Sequence, residues 1–208
     1  MTRPPLTTDR LPPALPSALG PLYAGCMRRL SLALAAALLV SSVASYAGQG
    51  PAPAAVSACF TPGHESCGEF IAGRIDGAQS KVRVQAYYLT SPMILRAVVG
   101  AKRRGLDVAA ILDKSQDRRT SNRSRYTGAT YLANAGVPIW IDDAPVIAHN
   151  KIIILDDRTV LTGSFNFTRN ADERNAENVV VLDSPEVAGW FNRNWEDRRS
   201  ASRAFEPE

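Results

Sequence analysis

The chain is poor in the side chains that build most metal and redox sites. Its 208 residues contain two histidines, His64 and His149, and three cysteines. Cys59, His64 and Cys67 lie close together in the sequence. A structural zinc site requires four ligands, and no obvious fourth ligand accompanies these three. A metal site at these three residues is therefore disfavoured.

Apolar runs long enough to cross a membrane are also missing. The apolar run of residues 30–40, broken only by Ser31, is shorter than the roughly 20 residues of a membrane-spanning helix. Two arginines precede this run and small residues follow it, which is the pattern of a secretory signal peptide over residues 27–47. We expect cleavage of this signal, no membrane span thereafter, and a periplasmic or secreted protein. An inner-membrane protein held by an uncleaved signal is the alternative.

The signal divides the chain into four parts. Residues 1–26 form a proline-rich extension, and Met27 is an alternative start that would leave them untranslated. Residues 48–55 are rich in glycine, proline and alanine, which predicts a linker. Residues 56–208 are then predicted to form one folded domain.

A strong basic bias is absent from the predicted domain. Residues 1–47 carry four arginines against one aspartate, which leaves a net charge of +1 for residues 48–208. Bulk charge is therefore weak evidence for a nucleic-acid partner. The local exception is segment 113–126, whose basic residues are Lys114, Arg118, Arg119, Arg123 and Arg125. This segment is either a ligand-binding loop or an ordinary solvated one.

Export would place Cys59 and Cys67 in an oxidising compartment. An even number of closely spaced cysteines there favours one small disulfide. Two free thiols, or the incomplete metal site with His64, are the alternatives.

Hydrophobic periodicity predicts an α/β domain. Alternating residues 82–88 predict a strand, Ser91-Pro92 begins a helix that ends at Gly105, and the apolar run 108–112 predicts a buried strand. A strand, a helix and a strand in this order form a βαβ unit with parallel strands. Further along, strands at 152–155 and 159–161 flank an Asp-Asp-Arg turn, which indicates a hairpin.

The segment from His149 to Asn166 carries the strongest chemical signal. His149 and Lys151 are two residues apart, a spacing that places both side chains on one face of a strand. A neutral imidazole can attack phosphorus, and a lysine offsets charge on the phosphate oxygens. Ser164 and Asn166, also two apart, add neutral hydrogen-bonding groups, and Gly163 permits close backbone approach. This combination predicts phosphodiester chemistry.

A single imidazole cannot be both nucleophile and leaving-group acid in one step. The motif occurs once, and His64 has no partner pattern around it. A two-fold homodimer would deliver a second His149, so we expect a homodimer.

These residues resemble the signature of the phospholipase D superfamily, His-x-Lys-x4-Asp-x6-Gly-Ser-x-Asn. Every fixed position is matched, with Asp156 as the acidic member and both gaps intact. Segment 163–168, segment 175–178 and Phe60-Thr61-Pro62 are similar to the small exported bacterial endonucleases of that superfamily. The resemblance covers about residues 56–199.

The resemblance implies a mixed β-sheet flanked by helices on both faces, in one domain. It also implies a phosphohistidine on His149, phosphate held by Lys151, Ser164 and Asn166, and no cofactor or metal. Glu177 occupies the place of the acidic residue that orients the histidine, and a carboxylate on Nδ1 would fix its tautomer. Asp156 and Gly163 are expected to be structural, with Asp156 holding the hairpin.

Three functions follow as expectations. The first is a sequence-nonspecific endonuclease on DNA or RNA, and the alternative is a phospholipase D that hydrolyses phospholipid headgroups. A lipase should carry an exposed apolar rim near its site. No apolar surface loop is visible in the sequence, although a fold could assemble one. The third is a non-catalytic envelope-binding module, which the intact motif disfavours. A serine hydrolase is disfavoured because Ser164 lacks the Gly-x-Ser-x-Gly elbow.

Overall fold

A computed structural model describes residues 54–63, 65–117 and 127–206. The predicted extension and signal peptide, most of the predicted linker, His64, and residues 118–126 of the basic segment lie outside the described residues. Within the described ranges, no helix has the length and apolarity needed to cross a membrane.

Eight strands form one mixed sheet, in the order β1-β7-β6-β5-β2-β3-β4-β8. Strand β2 pairs in parallel with β3, and β3 pairs in parallel with β4, whereas the other neighbours are antiparallel. The predicted parallel βαβ unit is thus confirmed at the centre of the sheet. The strands are β1 (Ala55–Thr61), β2 (Lys81–Ala86), β3 (Asp107–Asp113), β4 (Ile139–Asp142), β5 (Lys151–Leu155), β6 (Thr159–Gly163), β7 (Glu177–Asp183) and β8 (Arg203–Ala204).

Helices cover both faces of the sheet, as predicted. Helices α1, α2 and α3 bury apolar side chains against the face that carries Val82 and Val84, and α5 packs on the opposite face through Trp195. The described helices are α1 (Cys67–Asp76), α2 (Pro92–Arg103), α3 (Gly128–Asn134), α4 (Arg169–Glu173) and α5 (Pro185–Ser200). The periodicity did not reveal α4 or β8, because five residues and two residues are too short to show a repeat.

Alternation along β5 explains how one strand serves two cores. Ile153 and Leu155 belong to the larger apolar cluster, whereas Ile152 and Ile154 belong to the smaller cluster beneath α5. Successive side chains of a strand point to opposite faces, so a continuous apolar run marks a strand covered on both sides. Burial of β5 therefore holds the start of the strand, where the motif begins, in one place.

The hairpin between β5 and β6 is anchored by Asp156. Asp156 and Asp157 both have φ of 54°, the left-handed region that aspartate tolerates better than most residues. The Asp156 carboxylate accepts hydrogen bonds from the backbone N–H groups of Gln79, Ser80 and Lys81 at 2.8–3.2 Å. The turn is thereby tied to the segment that leads into β2.

A disulfide joins Cys59 in β1 to Cys67 at the start of α1, with the two Cα atoms 5.7 Å apart. Both sulfurs are used in this bond, so the arrangement of Cys59, His64 and Cys67 as metal ligands does not apply. The bond fixes the edge strand to the first helix, close to the end of β1.

Candidate active site

The signature residues meet at one edge of the sheet. Strand β5 begins there with Lys151, β6 ends there with Gly163, and β7 begins there with Glu177. The ends of β2 and β3 lie at the same edge, because β2 pairs antiparallel to β5 and parallel to β3. Ligands of α/β sheets commonly bind beyond the carboxyl ends of parallel strands, so this edge is the candidate active site.

His149 and Lys151 differ in their surroundings. His149 lies two residues before β5 rather than on the strand and is exposed, and its ring packs at 4.8 Å from that of Tyr87. Lys151 is 7% exposed, and its Nζ donates to the carbonyl of His149 at 2.9 Å. The ammonium therefore sits directly beneath the backbone that carries the imidazole.

The electrostatics of Lys151 depend on Glu177. Burial lowers the pKa of Lys151, and the negative charge of Glu177 partly offsets this by raising it. A buried ammonium with spare donors is a strong site for a phosphate oxygen, because little water competes for it.

Ser164 links the motif to β7. Its Oγ donates to the Glu177 carboxylate at 2.6 Å and accepts from the backbone N–H of Asn178 at 3.1 Å. The second Glu177 oxygen accepts from Asn175 at 2.9 Å. Within the described residues, no hydrogen bond joins Glu177 to the imidazole of His149. In this chain the carboxylate thus contacts Ser164, instead of the histidine to which the family pattern assigns it.

Gly163 and Asn166 show why the motif needs these residue types. Gly163 has φ of +148°, and a Cβ there would lie 2.3 Å from the carbonyl oxygen of Asn178. A side chain would therefore push β6 and β7 apart beside Ser164. The Oδ1 atom of Asn166 is buried and has no hydrogen-bond partner among the described residues, so it is free to pair with a donor that enters the site.

Several positioning residues carry no motif that the sequence could reveal. Asp113, at the end of β3, is 3% exposed and accepts from the backbone N–H of Ala148 at 2.8 Å. Lys114 donates to the carbonyl of Pro145 at 2.9 Å. These bonds hold the segment before His149 against β3. Thr61 accepts from the backbone N–H of Glu177 at 3.1 Å, which holds the start of β7 against β1.

An apolar rim adjoins the imidazole, contrary to the impression from the sequence. Val146 is 87% exposed and Ile147 is 53% exposed, three and two residues before His149. The hydrogen bonds of the neighbouring backbone direct this short segment outward. Two apolar residues do not stand out in a sequence, so only the fold shows that they are at the surface. By contrast, Phe165 and Phe167 are buried.

Comparison with known proteins finds one matching domain family and several similar proteins. A sequence profile described as cardiolipin synthase, PLD-like domain, matches residues 71–198. Phospholipase D of Rickettsia felis is 40% identical over 147 residues, which cover 71% of this chain and 70% of that protein. Mitochondrial cardiolipin hydrolase of Xenopus laevis is 29% identical over 154 residues, which cover 72% and 71% of the two proteins.

Solved structures share the fold. The crystal structure of Nuc, a phospholipase D family member from Salmonella typhimurium, superposes with a TM-score of 0.66 and 36% identity. The match covers 74% of this chain and 99% of Nuc. The mixed sheet and its flanking helices are therefore a shared architecture.

Proposed function

The chain belongs to the phospholipase D superfamily and is a phosphodiesterase of its small Nuc-like branch, and from this premise we propose that it is a sequence-nonspecific endonuclease on DNA or RNA. The observation that carries the chemistry is the exposed imidazole of His149 above the buried ammonium of Lys151, beside Ser164 and Asn166. Nucleic acid is favoured by the likeness to the exported endonucleases and by the basic segment 113–126.

His149 is proposed as the nucleophile. Its imidazole attacks phosphorus, so that a P–N bond forms while the P–O bond to the leaving strand breaks. Lys151 and Asn166 hold the non-bridging oxygens. The one hydroxyl proton of Ser164 is directed to Glu177 in the free protein, so it turns from that carboxylate to a phosphate oxygen when substrate binds. Water then hydrolyses the phosphohistidine and restores the imidazole.

The proton balance calls for a second copy of the chain. A protonated His149 from that copy would give its proton to the leaving oxygen and later take one from the attacking water. His149 is exposed, and so are Val146 and Ile147 beside it, which leaves room for a two-fold axis close to the site. Mixing His149→Ala chains with chains that carry a different tag tests this, since one inactive copy should abolish the activity of a heterodimer.

The test of function is a parallel assay on plasmid DNA and RNA in the presence of a chelator. His149→Ala should abolish cleavage, and a variant such as Arg103→Ala, on α2 and away from the motif, should not. Loss of activity on adding chelator would contradict the metal-free mechanism. Absence of cleavage on both polymers would contradict the endonuclease.

Phospholipid is the second candidate substrate, and the exposed Val146 and Ile147 favour it. Apolar side chains at the rim of a phosphate site would allow contact with a bilayer, and two relatives are named phospholipase D and cardiolipin hydrolase. The double substitution Val146→Asn with Ile147→Asn should then reduce headgroup release from vesicles. Val56→Asn is the matched control, because Val56 is 62% exposed near the opposite end of β1 from Thr61. Equal vesicle activity in both variants would contradict this use of the rim.

Export is proposed through the predicted signal at residues 27–47. The amino-terminal sequence of the protein purified from its native host should begin after Ala47. A chain that starts at or before residue 27 and sediments with membranes would instead support the uncleaved anchor.

A further inference from the structure

A cavity opens at the same edge of the sheet as the motif, between the first turns of α2 and α3. Its volume is about 310 Å³, and its lining includes Thr90, Leu95, Arg96, Gly128 and Tyr131. This size lies at the lower end of the range for small-molecule sites. The signature residues do not line it, so the phosphodiester chemistry does not account for it.

Backbone contacts place this cavity next to the catalytic groups. The N–H of Thr90 donates to the carbonyl of Phe167 at 2.8 Å, and Phe167 directly follows Asn166. On the other side, the ring of Tyr87 packs on His149. Tyr87 and Thr90 are three residues apart, and an extended chain of that length spans no more than about 11 Å. The cavity is therefore one or two nucleotide units away from the phosphate site.

Apolar, aromatic and cationic side chains all contribute to the lining of the cavity. The lining combines apolar Leu95, which is 8% exposed, and aromatic Tyr131 with the threonines at positions 90 and 127. Gly128 brings α3 so close to the segment before α2 that a Cβ there would lie 1.9 Å from the carbonyl oxygen of Leu89. Arg96 is exposed and forms no ion pair with any residue that the structure describes. An aromatic surface beside an unpaired arginine is the combination that binds a base and its phosphate in single strands.

We infer that this cavity is a base-binding subsite for single-stranded nucleic acid. One base next to the scissile phosphate enters between Leu95 and Tyr131, and Arg96 contacts the phosphate beyond it. A base in a duplex is stacked and paired and cannot enter, so single strands are cut in preference to duplexes. Every base has a π-face, so the subsite requires a base without reading its identity. This inference rests on the proposed endonuclease function.

An oligonucleotide with one abasic position provides the test. In wild-type digests of single-stranded DNA, cleavage at bonds next to the abasic position should be weaker than at other bonds by about tenfold, the effect of losing one stacked base. The Tyr131→Ala variant should cut all bonds at the same reduced rate, so that cleavage next to the abasic position is no weaker than elsewhere. The Tyr131→Phe variant keeps the ring and should still cleave more weakly next to the abasic position.

Binding supplies an independent measurement. In a His149→Ala background, which prevents cleavage, Arg96→Ala should weaken the binding of single-stranded DNA several-fold. It should also reduce the slope of log K against log salt by about 0.7, as expected for one lost phosphate contact. Arg103→Ala is the matched control, because this exposed arginine lies on the same helix about 10 Å further along. Its binding and its slope should equal those of the background protein.

The outcomes of these experiments distinguish failure of the subsite from failure of the proposed endonuclease function. An even cleavage ladder across the abasic position would overturn the subsite and leave the endonuclease intact. Equal effects of Arg96→Ala and Arg103→Ala would also overturn it. If no nucleic acid is cut or bound under any condition, both the subsite and the proposed function fail.

Discussion

The substitution Asp156→Asn tests whether the acidic member of the signature is structural. Asp156 lies five residues beyond Lys151 along β5, which at about 3.3 Å per residue is roughly 16 Å from the site. Its carboxylate accepts three backbone N–H groups and the hydroxyl of Ser80. We therefore expect this variant to lose stability, while the folded protein keeps its turnover number.

The magnitude follows from these hydrogen bonds. Asparagine has one acceptor oxygen, so its amide group would face the N–H of Gln79, and the remaining bonds would lose their charge. A hydrogen bond to a charged group contributes about 1.5–3 kcal/mol, and partial exposure of the turn lets water replace some of it. We expect a loss of about 2–3 kcal/mol, or roughly 5–10 °C in Tm for a domain of this size.

The loss of stability expected for Asp156→Asn should also depend on pH. Burial alone would raise the pKa of Asp156, but the hydrogen bonds from Lys81, Gln79 and Ser80 outweigh it and lower the pKa. A lowered carboxyl pKa stabilises the fold above the unfolded value of about 3.9, and this stabilisation disappears as the pH falls through the folded value. The gap between the wild-type and Asp156→Asn melting temperatures should therefore shrink below about pH 4.

Thermal denaturation and steady-state kinetics at 25 °C are the two measurements. Asp157→Asn is the matched control, since Asp157 has the same φ of 54° in the same turn and forms a half-exposed ion pair with Lys81. A surface pair of this kind contributes about 0–1 kcal/mol, so this control should melt close to the wild type. A turnover number reduced more than about tenfold with an unchanged Tm would refute the structural role of Asp156.

Three further predictions concern the site and its frame. Glu177→Gln removes the charge that raises the pKa of Lys151, so the alkaline limb of the kcat/KM profile should move to lower pH; an unmoved limb would show that the two groups are not coupled. Gly163→Ala should lower the free energy of unfolding by about 2–4 kcal/mol, because the φ of +148° and the clash with β7 both oppose a side chain. A variant that melts at the wild-type Tm would contradict that geometry. Joint replacement of Cys59 and Cys67 by serine should lower the free energy of unfolding by about 2–3 kcal/mol, the stabilisation expected from a disulfide that closes a short loop. Added reductant should then have no further effect on the Tm of this variant.

Much of the fold could be predicted because the local patterns agree with the tertiary environment. The continuous apolar run in β3 follows from both faces of that strand being covered. The alternation in β2 reflects apolar side chains on the face of α1 and α2 and polar ones, such as Arg83 over Trp195, on the face of α5. The hairpin turn was visible because Asp156 and Asp157 are residues that tolerate a positive φ. By contrast, α4 is a single turn, capped by Thr168 through the backbone N–H of Ala171, and five residues are too few for a hydrophobic repeat to show.

The candidate site divides in the same way. The fixed spacing of His149, Lys151, Ser164 and Asn166 was sufficient to predict phosphate chemistry. These residues meet because β5 begins where β6 ends, and not on one strand face as expected, since His149 lies before β5. The contact between Glu177 and Ser164 was not predictable, since it depends on the register of β6 against β7. A register is a relation between distant segments, and no local pattern encodes it.

What the sequence by itself determined is the candidate reaction centre: one imidazole, one lysine and two neutral polar groups at the spacing of the signature. Only the tertiary structure decided what surrounds that centre. It buried Lys151, exposed Val146 and Ile147 beside His149, and opened the cavity of Arg96 and Tyr131 at the same edge. The physical reason is that side-chain chemistry is local, whereas burial, pKa and access depend on segments that only the folded sheet brings together.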